Sequence, residues 1–163
     1  MAQIRTILVP VDFTEFSNRA ADYAAMIARR FGAKIQLVHV IEQFTYSVTD
    51  TIQVVDHYSA LRTIAQPLMD TLKNRLGRKG VKVDGLVTRG NPAFQIVEQA
   101  RKNRSDLIVM GTHGRTGVQH LLLGSVAERV VRLATCPVLT VRGAGKPSRG
   151  RERVRKGKGT ILI

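Results

Sequence analysis

The stretch DLIVMGTHGRTGVQHLLLGSVAERV, residues 106–130, decides how this chain is read. It opens on an apolar run, Asp106 to Gly111, of the length and composition of a buried strand. A loop rich in glycine and hydroxyl groups follows, through Gly114, Gly117 and Gly124. The spacing then predicts a short helix over Val126 to Leu133. Strand, loop and helix in this order are the repeating unit of a parallel α/β sheet.

The same alternation extends outward. Ile4 to Val11 reads as a first strand. Phe16, Ala20, Tyr23, Ala24, Ile27 and Phe31 then mark one helix face, and Gly32 is a natural stop. Lys34 to Val40 is a second strand, and residues 42–55 are polar and irregular. Leu61, Ile64, Ala65, Leu68, Leu72 and Leu76 predict a longer helix. Pro67 lies inside it and is expected to kink or split it. Val81 to Thr88 is a third strand. Asn91-Pro92 pairs a good N-cap with a good first helical residue, and Ala93, Ile96, Val97 and Ala100 form the buried face behind it. Pro137 to Val141 is a last strand. The expected fold class is α/β: a single doubly wound, five-stranded parallel sheet with helices on both faces, Rossmann-like. Ligands of such sheets bind beyond the carboxyl ends of the strands, where strand order reverses. The segments to inspect are therefore Pro10 to Thr14, His39 to Glu42, and Gly111 onward.

Composition narrows the class. The chain has 163 residues, 44% hydrophobic, 23% charged, with one cysteine and a formal net charge of +14. That length suits one domain with a real core and no need of disulfides. Half of the charge excess lies in residues 142–163, a Gly- and Arg-rich stretch that reads as an appended basic tail after a domain at 1–141. The N-terminus has no secretory h-region, and no stretch reaches the ~20 apolar residues of a membrane span, so a cytoplasmic protein is expected. Trp is absent and aromatics are 5%. A surface of base-stacking platforms is poorly supported.

The loop after the fourth strand holds the chemistry. Glycines let the backbone approach an anion closely, and successive N–H groups surround phosphate oxygens. The start of the following helix adds free donors and a positive dipole end. A di- or triphosphate is the natural guest. The competing reading is structural: Ser125 and Glu128 match a capping box, and Gly117 suits a turn. The loop is neither a Walker loop nor the dinucleotide G-x-G-x-x-G motif.

Gly111, Gly114, Gly124 and Ser125 satisfy the pattern G-x2-G-x9-G-(S/T). It resembles the ATP-binding signature of the universal stress protein family. The resemblance covers residues 4–141 and includes ILVPVDFTEFS, LVHV, GNP, DLIVMGTHGRTG, LLGSVAERV and CPVLTV. It implies an adenine-nucleotide site (ATP, or ADP or AMP) with Mg²⁺ carried mainly by the phosphates and by Asp12. Asp12 resembles the acid that accepts ribose hydroxyls; helix capping near Thr14 is its other reading. Pro10, Val11 and Val40 resemble the adenine slot, although burial alone also accounts for them. Met110, Gly111, Thr112, His113, Gly114, Arg115, Thr116 and Gly117 resemble the loop passing the ribose and phosphates. Gly114, Gly124, Ser125 and Val126 are the expected phosphate contacts, mainly through backbone N–H groups. Arg115 reads as a solvated loop residue, with reach to the outer phosphates as the alternative.

His39, His57, His113 and His120 lack metal-ligand spacing; His39 is expected to pack at a strand end. Cys136 reads as a small apolar residue. No catalytic residue is named, so binding is favoured over turnover, with weak ATPase activity at most. The expected role is a nucleotide-dependent stress-response or signalling protein with an unidentified protein partner. The family resemblance adds a homodimer through the edge strand Pro137 to Val141. Two alternatives stand beside it. One is an enzyme of the adenine-nucleotide α-hydrolase type, which shares the scaffold. The other is a nucleic-acid or anionic-surface binder acting through the tail.

Overall fold

The computed structural model describes residues 3–42, 57–112 and 123–142. Among these, five strands form one parallel sheet: β1 (Thr6–Pro10), β2 (Lys34–Glu42), β3 (Val83–Gly90), β4 (Leu107–Gly111) and β5 (Val138–Val141). Their order is β3-β2-β1-β4-β5. The helices are α1 (Glu15–Phe31), α2 (His57–Gly77), α3 (Pro92–Lys102) and α4 (Ser125–Leu133). Alternating side chains divide the core between the two faces. Ile7, Val9, Ile35, Leu37 and Val109 face α1 and α2, whereas Leu8, Val38, Ile108 and Met110 face α3 and α4. Strands buried on both faces must be nearly all apolar, as β1 and β4 are. The expected doubly wound architecture is therefore present.

α1 departs from the expected face. Ala20, Ala21, Ala24, Ala25 and Ala28 are buried, while Tyr23 and Phe31 are 41% and 51% exposed. The helix packs through its alanines, because small residues let its axis come close to the sheet. The approach is tight enough that a Cβ on Gly111 would lie 3.2 Å from the backbone of Phe16. The helix is closed by Thr14, whose side chain accepts from the Ser17 amide at 3.4 Å, and by left-handed Gly32.

α2 is one helix through Pro67, neither ended nor divided there. Pro67 sits on the exposed side, so the carbonyl one turn earlier that loses its N–H donor meets water. The Thr71 hydroxyl donates to the Pro67 carbonyl at 2.9 Å. Ala65, Met69, Leu72 and Leu76 are buried, whereas Ile64 and Leu68 face outward, contrary to the expected stripe. An interior proline costs a helix about 3 kcal/mol, so Pro67→Ala is expected to stabilise the protein by about 1–3 kcal/mol. A higher urea midpoint at unchanged slope is the check.

α3 matches expectation: the Asn91 side chain accepts from the Phe94 amide at 3.3 Å, and Pro92 is the first helical residue. α4 does not use the expected capping box. Gly124 is its N-cap, without a side-chain cap bond, and Ser125 is already helical. One residue of register removes the geometry in which Ser125 would cap.

Candidate functional site

Strand order reverses at β1, whose neighbours are β2 and β4. The two sides are paired unequally. β1 pairs with β2 as far as Pro10–Val38, and the Val11 amide continues to the Val38 carbonyl at 2.8 Å. Toward β4 the pairing consists of Ile7–Leu107 and Leu8–Ile108. Continued register would set Pro10 beside Met110. The Val11 amide points to β2, so position 10 faces β4, and there proline has no N–H to give. A proline in this otherwise central strand marks where the sheet parts. The ladder between β1 and β4 therefore ends before their carboxyl ends, which is where a ligand cleft of such a sheet is expected.

The turn after β1 is tightly specified. Oδ1 of Asp12 accepts from the Thr14 amide at 3.1 Å and the Thr14 hydroxyl at 2.6 Å. Ser17 Oγ accepts from the Asp12 amide at 3.3 Å and donates to the Thr14 carbonyl at 3.1 Å. These bonds bear on the helix-start reading of Asp12: it orders the start of α1 through Oδ1, while Thr14 supplies the cap. Among the described residues, Oδ2 takes no such bond. Between them Phe13 adopts φ 64°, a conformation that costs a non-glycine residue about 1–2 kcal/mol. Its ring packs against His39 with centroids 4.6 Å apart, an interaction of about 0.5–1.5 kcal/mol that offsets part of that strain. His39 is buried at the end of β2, as expected. Its Nδ1 lies 2.8 Å from the Val11 carbonyl, which can only accept, so Nδ1 carries a proton. Sequence reasoning missed Phe13, because nothing in an aromatic residue announces a positive φ.

The other wall comes from β4 and α4. Thr112 is 2% exposed, and its amide donates to the Val141 carbonyl at 3.0 Å. Its carbonyl accepts from the Gly124 amide at 2.7 Å. That bond sets the first turn of α4 beside the end of β4. The Glu128 amide is bonded back to the Gly124 carbonyl, so the amides of Ser125, Val126 and Ala127 precede the first intrahelical bond. This is the donor arrangement that binds anions.

The predicted residues are placed as follows. Pro10, Val11, Asp12, Val40, Met110, Gly111, Thr112, Gly124, Ser125 and Val126 all belong to the carboxyl end of the sheet. Val11 and Met110 are buried, Val40 is half-buried and Ser125 is exposed. Gly111 has a packing role against α1 that the sequence did not reveal. His113, Gly114, Arg115, Thr116 and Gly117 lie outside the described residues, as does the tail from residue 143. Among the described residues no group of His, Cys, Asp and Glu could hold a metal ion by itself. The Cys136 thiol is pushed up from its ordinary pKa, first by burial and then by the Asp106 carboxylate, which makes it less reactive. A groove of about 820 Å³ lies elsewhere, between α1 and Lys79, and is lined by Met26, Arg29, Arg30 and Phe31.

A model of the universal stress protein family matches residues 3–142. The chain belongs to this family. The universal stress protein MJ0531 of Methanocaldococcus jannaschii is 36% identical over 141 residues, covering 85% of this chain and 82% of its own. The solved structure of MJ0577 from the same organism superposes with a TM-score of 0.77 at 29% identity, covering 89% of this chain and all of that one. UspA of Lactobacillus plantarum gives 0.76 at 26% identity, covering 87% and 100%. More distant universal stress proteins sharing the fold have been solved with cAMP (TM-score 0.67, 24% identity) and, from Archaeoglobus fulgidus, with dAMP (0.62, 21%). Among the described residues no helix is long and apolar enough to cross a membrane.

Proposed function

We propose that this universal stress protein binds ATP in the cleft between β1 and β4 and acts through its nucleotide state on a protein partner. The observation that carries the reading is the parting of these strands beyond Leu8–Ile108, with the α4 amides on one wall and Asp12 on the other. The base would lie against Val11 and Val40, the ribose hydroxyls would bond Asp12, and the phosphates would meet the amides of Ser125 and Val126. Gly114 and Gly124 complete the motif on which this assignment rests. The distant relatives solved with cAMP and dAMP support an adenine nucleotide as the class of ligand. The donor set suits phosphates, and a bound Mg²⁺ would add charge neutralisation there, held by the phosphates and by Asp12 across the cleft. The reading is of a binder rather than a catalyst. His39, the buried histidine at this end, has Nδ1 engaged by the Val11 carbonyl.

Asp12→Asn separates the two duties of that residue. The amide keeps an oxygen for Thr14 but loses the charge that strengthens bonds to ribose hydroxyls. Isothermal titration is expected to show ATP affinity about tenfold weaker, with stability changed by less than about 0.5 kcal/mol. Unchanged affinity would remove Asp12 from the site.

A homodimer through β5 belongs to the same proposal. β5 is an edge strand, and uncovered edges tend to pair. The Pro137 and Val141 carbonyls accept from β4, so the N–H of Thr140 points away from the sheet. Light scattering is expected to give twice the chain mass, and Thr140→Pro, lacking that N–H, the mass of a monomer.

A further inference from the structure

We propose that the amino-terminal end of the sheet, opposite the β1–β4 cleft, binds the sugar-phosphate backbone of duplex nucleic acid. In a parallel sheet every helix-to-strand turn lies at this end, and three of the four described ones are cationic, the α4–β5 turn (residues 134–137) being the exception. The α1–β2 turn carries Arg29, Arg30 and Lys34; the α2–β3 turn carries Arg78, Lys79 and Lys82. The α3–β4 turn carries Arg101, Lys102 and Arg104, and Arg5 stands just before β1. All ten are exposed. The backbone holds several side by side: the Lys34 amide donates to the Arg5 carbonyl at 2.9 Å, and the Ile35 amide to the Lys82 carbonyl at 2.8 Å. With strands about 4.8 Å apart, these three positions form a row about 10 Å long.

The acids at this end are largely engaged. Asp22 is paired with Arg75 at 2.6 Å and Lys79 at 2.8 Å, and Glu98 with Arg101 at 3.4 Å and Lys102 at 3.3 Å. Asp106 accepts from the amides of Arg5 and Thr6. Asp84 is exposed near the start of β3. Among the described residues, Arg29, Arg30, Lys34, Arg78, Lys82 and Arg104 have no carboxylate partner.

Helix dipoles explain part of this pattern, since a cation in a last turn is stabilising. They do not explain Arg5, Lys34 and Lys82 at strand starts, nor Arg104. Three turns at this end contain a left-handed residue. Two use glycine, Gly32 at φ 69° and Gly80 at φ 78°; the third uses Arg104 at φ 48°. The α3–β4 turn thus carries a charged side chain at a position where glycine would relieve strain.

Arginine and lysine spread along a row fit the regular phosphates of a duplex, whose backbone contacts carry affinity without sequence. A protein partner would use an apolar centre among the charges, and Met26 and Phe31 offer one beside Arg29 and Arg30 but not along the Arg5–Lys34–Lys82 row. An anionic bilayer would favour apolar anchors, and in these turns Phe31 is the large exposed one.

The test is fluorescence anisotropy of a labelled 20-base-pair duplex of mixed sequence, titrated with the full chain at several salt concentrations. The basic tail stays in every variant, so differences report this face. R29S/R30S/R104G is expected to bind at least tenfold more weakly, with a log–log salt slope shallower by about two to three. R62S/R89S/R129S, an equal charge loss away from this end, is expected to change affinity less than threefold. R104G alone is expected to weaken binding while its thermal midpoint holds or rises. Equal losses in the two triple variants, unchanged binding by R104G, or a lower midpoint for R104G would overturn the proposal. So would capture by phosphatidylserine-containing vesicles in the absence of duplex binding.

Discussion

Gly124→Val is expected to abolish adenine-nucleotide binding, weakening ATP at least a hundredfold, or about 2.7 kcal/mol. Gly124 is the N-cap of α4, and its φ of −72° and ψ of 156° are open to any residue. The fold should therefore survive the change. A branched side chain at this position would stand over the amides of Ser125 and Val126 and keep phosphate oxygens from reaching them. Hydrogen bonds to charged groups contribute about 1.5–3 kcal/mol each, so losing two of them removes most of the affinity. Valine is a poorer N-cap than glycine, which adds a small stability cost. Titration calorimetry for binding and circular dichroism for the fold separate the two effects.

Gly111→Val is expected to act on the fold first. A Cβ there would sit 3.2 Å from the Phe16 carbonyl carbon and 3.3 Å from its Cβ and oxygen. These neighbours belong to the first turn of α1, which is itself held by the Asp12–Thr14–Ser17 bonds and cannot move aside alone. Overpacking of this kind costs about 1–3 kcal/mol, and a branched residue belongs at the upper end. With about 2–4 °C per kcal/mol for a chain of this size, the thermal midpoint should fall by about 5–10 °C. Nucleotide affinity should fall as well, because α1 carries the turn that presents Asp12. The pair of glycine variants thus distinguishes a glycine that keeps a ligand path open from one that lets two elements meet.

The architecture was legible because strand and helix periodicities alternate without ambiguity. The burial of Ala93, Ile96 and Ala100 and the Asn91 cap followed from the sequence alone. The misread details share a cause. Large apolar residues attract attention, yet α1 packs through alanines and leaves Tyr23 and Phe31 outside. In α2 the buried stripe runs through Ala65 and Met69 instead of Ile64 and Leu68, and exposed Pro67 leaves its helix intact. Ser125 looked like a cap because the serine–glutamate spacing is right, but the helix begins one residue earlier. At the site, the type of each residue pointed to a nucleotide. The strain at Phe13 and the parting of β1 from β4 at Pro10 are three-dimensional facts with no one-dimensional trace. The cationic turns are another example. Arg5, Lys34 and Lys82 are far apart in sequence, and strand order alone sets them in one row.

The most direct measurement is equilibrium binding of ATP, ADP and AMP to the purified full-length protein, followed by calorimetry and by mass analysis of any nucleotide released on denaturation. Saturable binding of one adenine nucleotide per chain, lost in Gly124→Val and weakened in Asp12→Asn, is the predicted result. No adenine nucleotide in the released fraction and no binding up to millimolar concentration would contradict it.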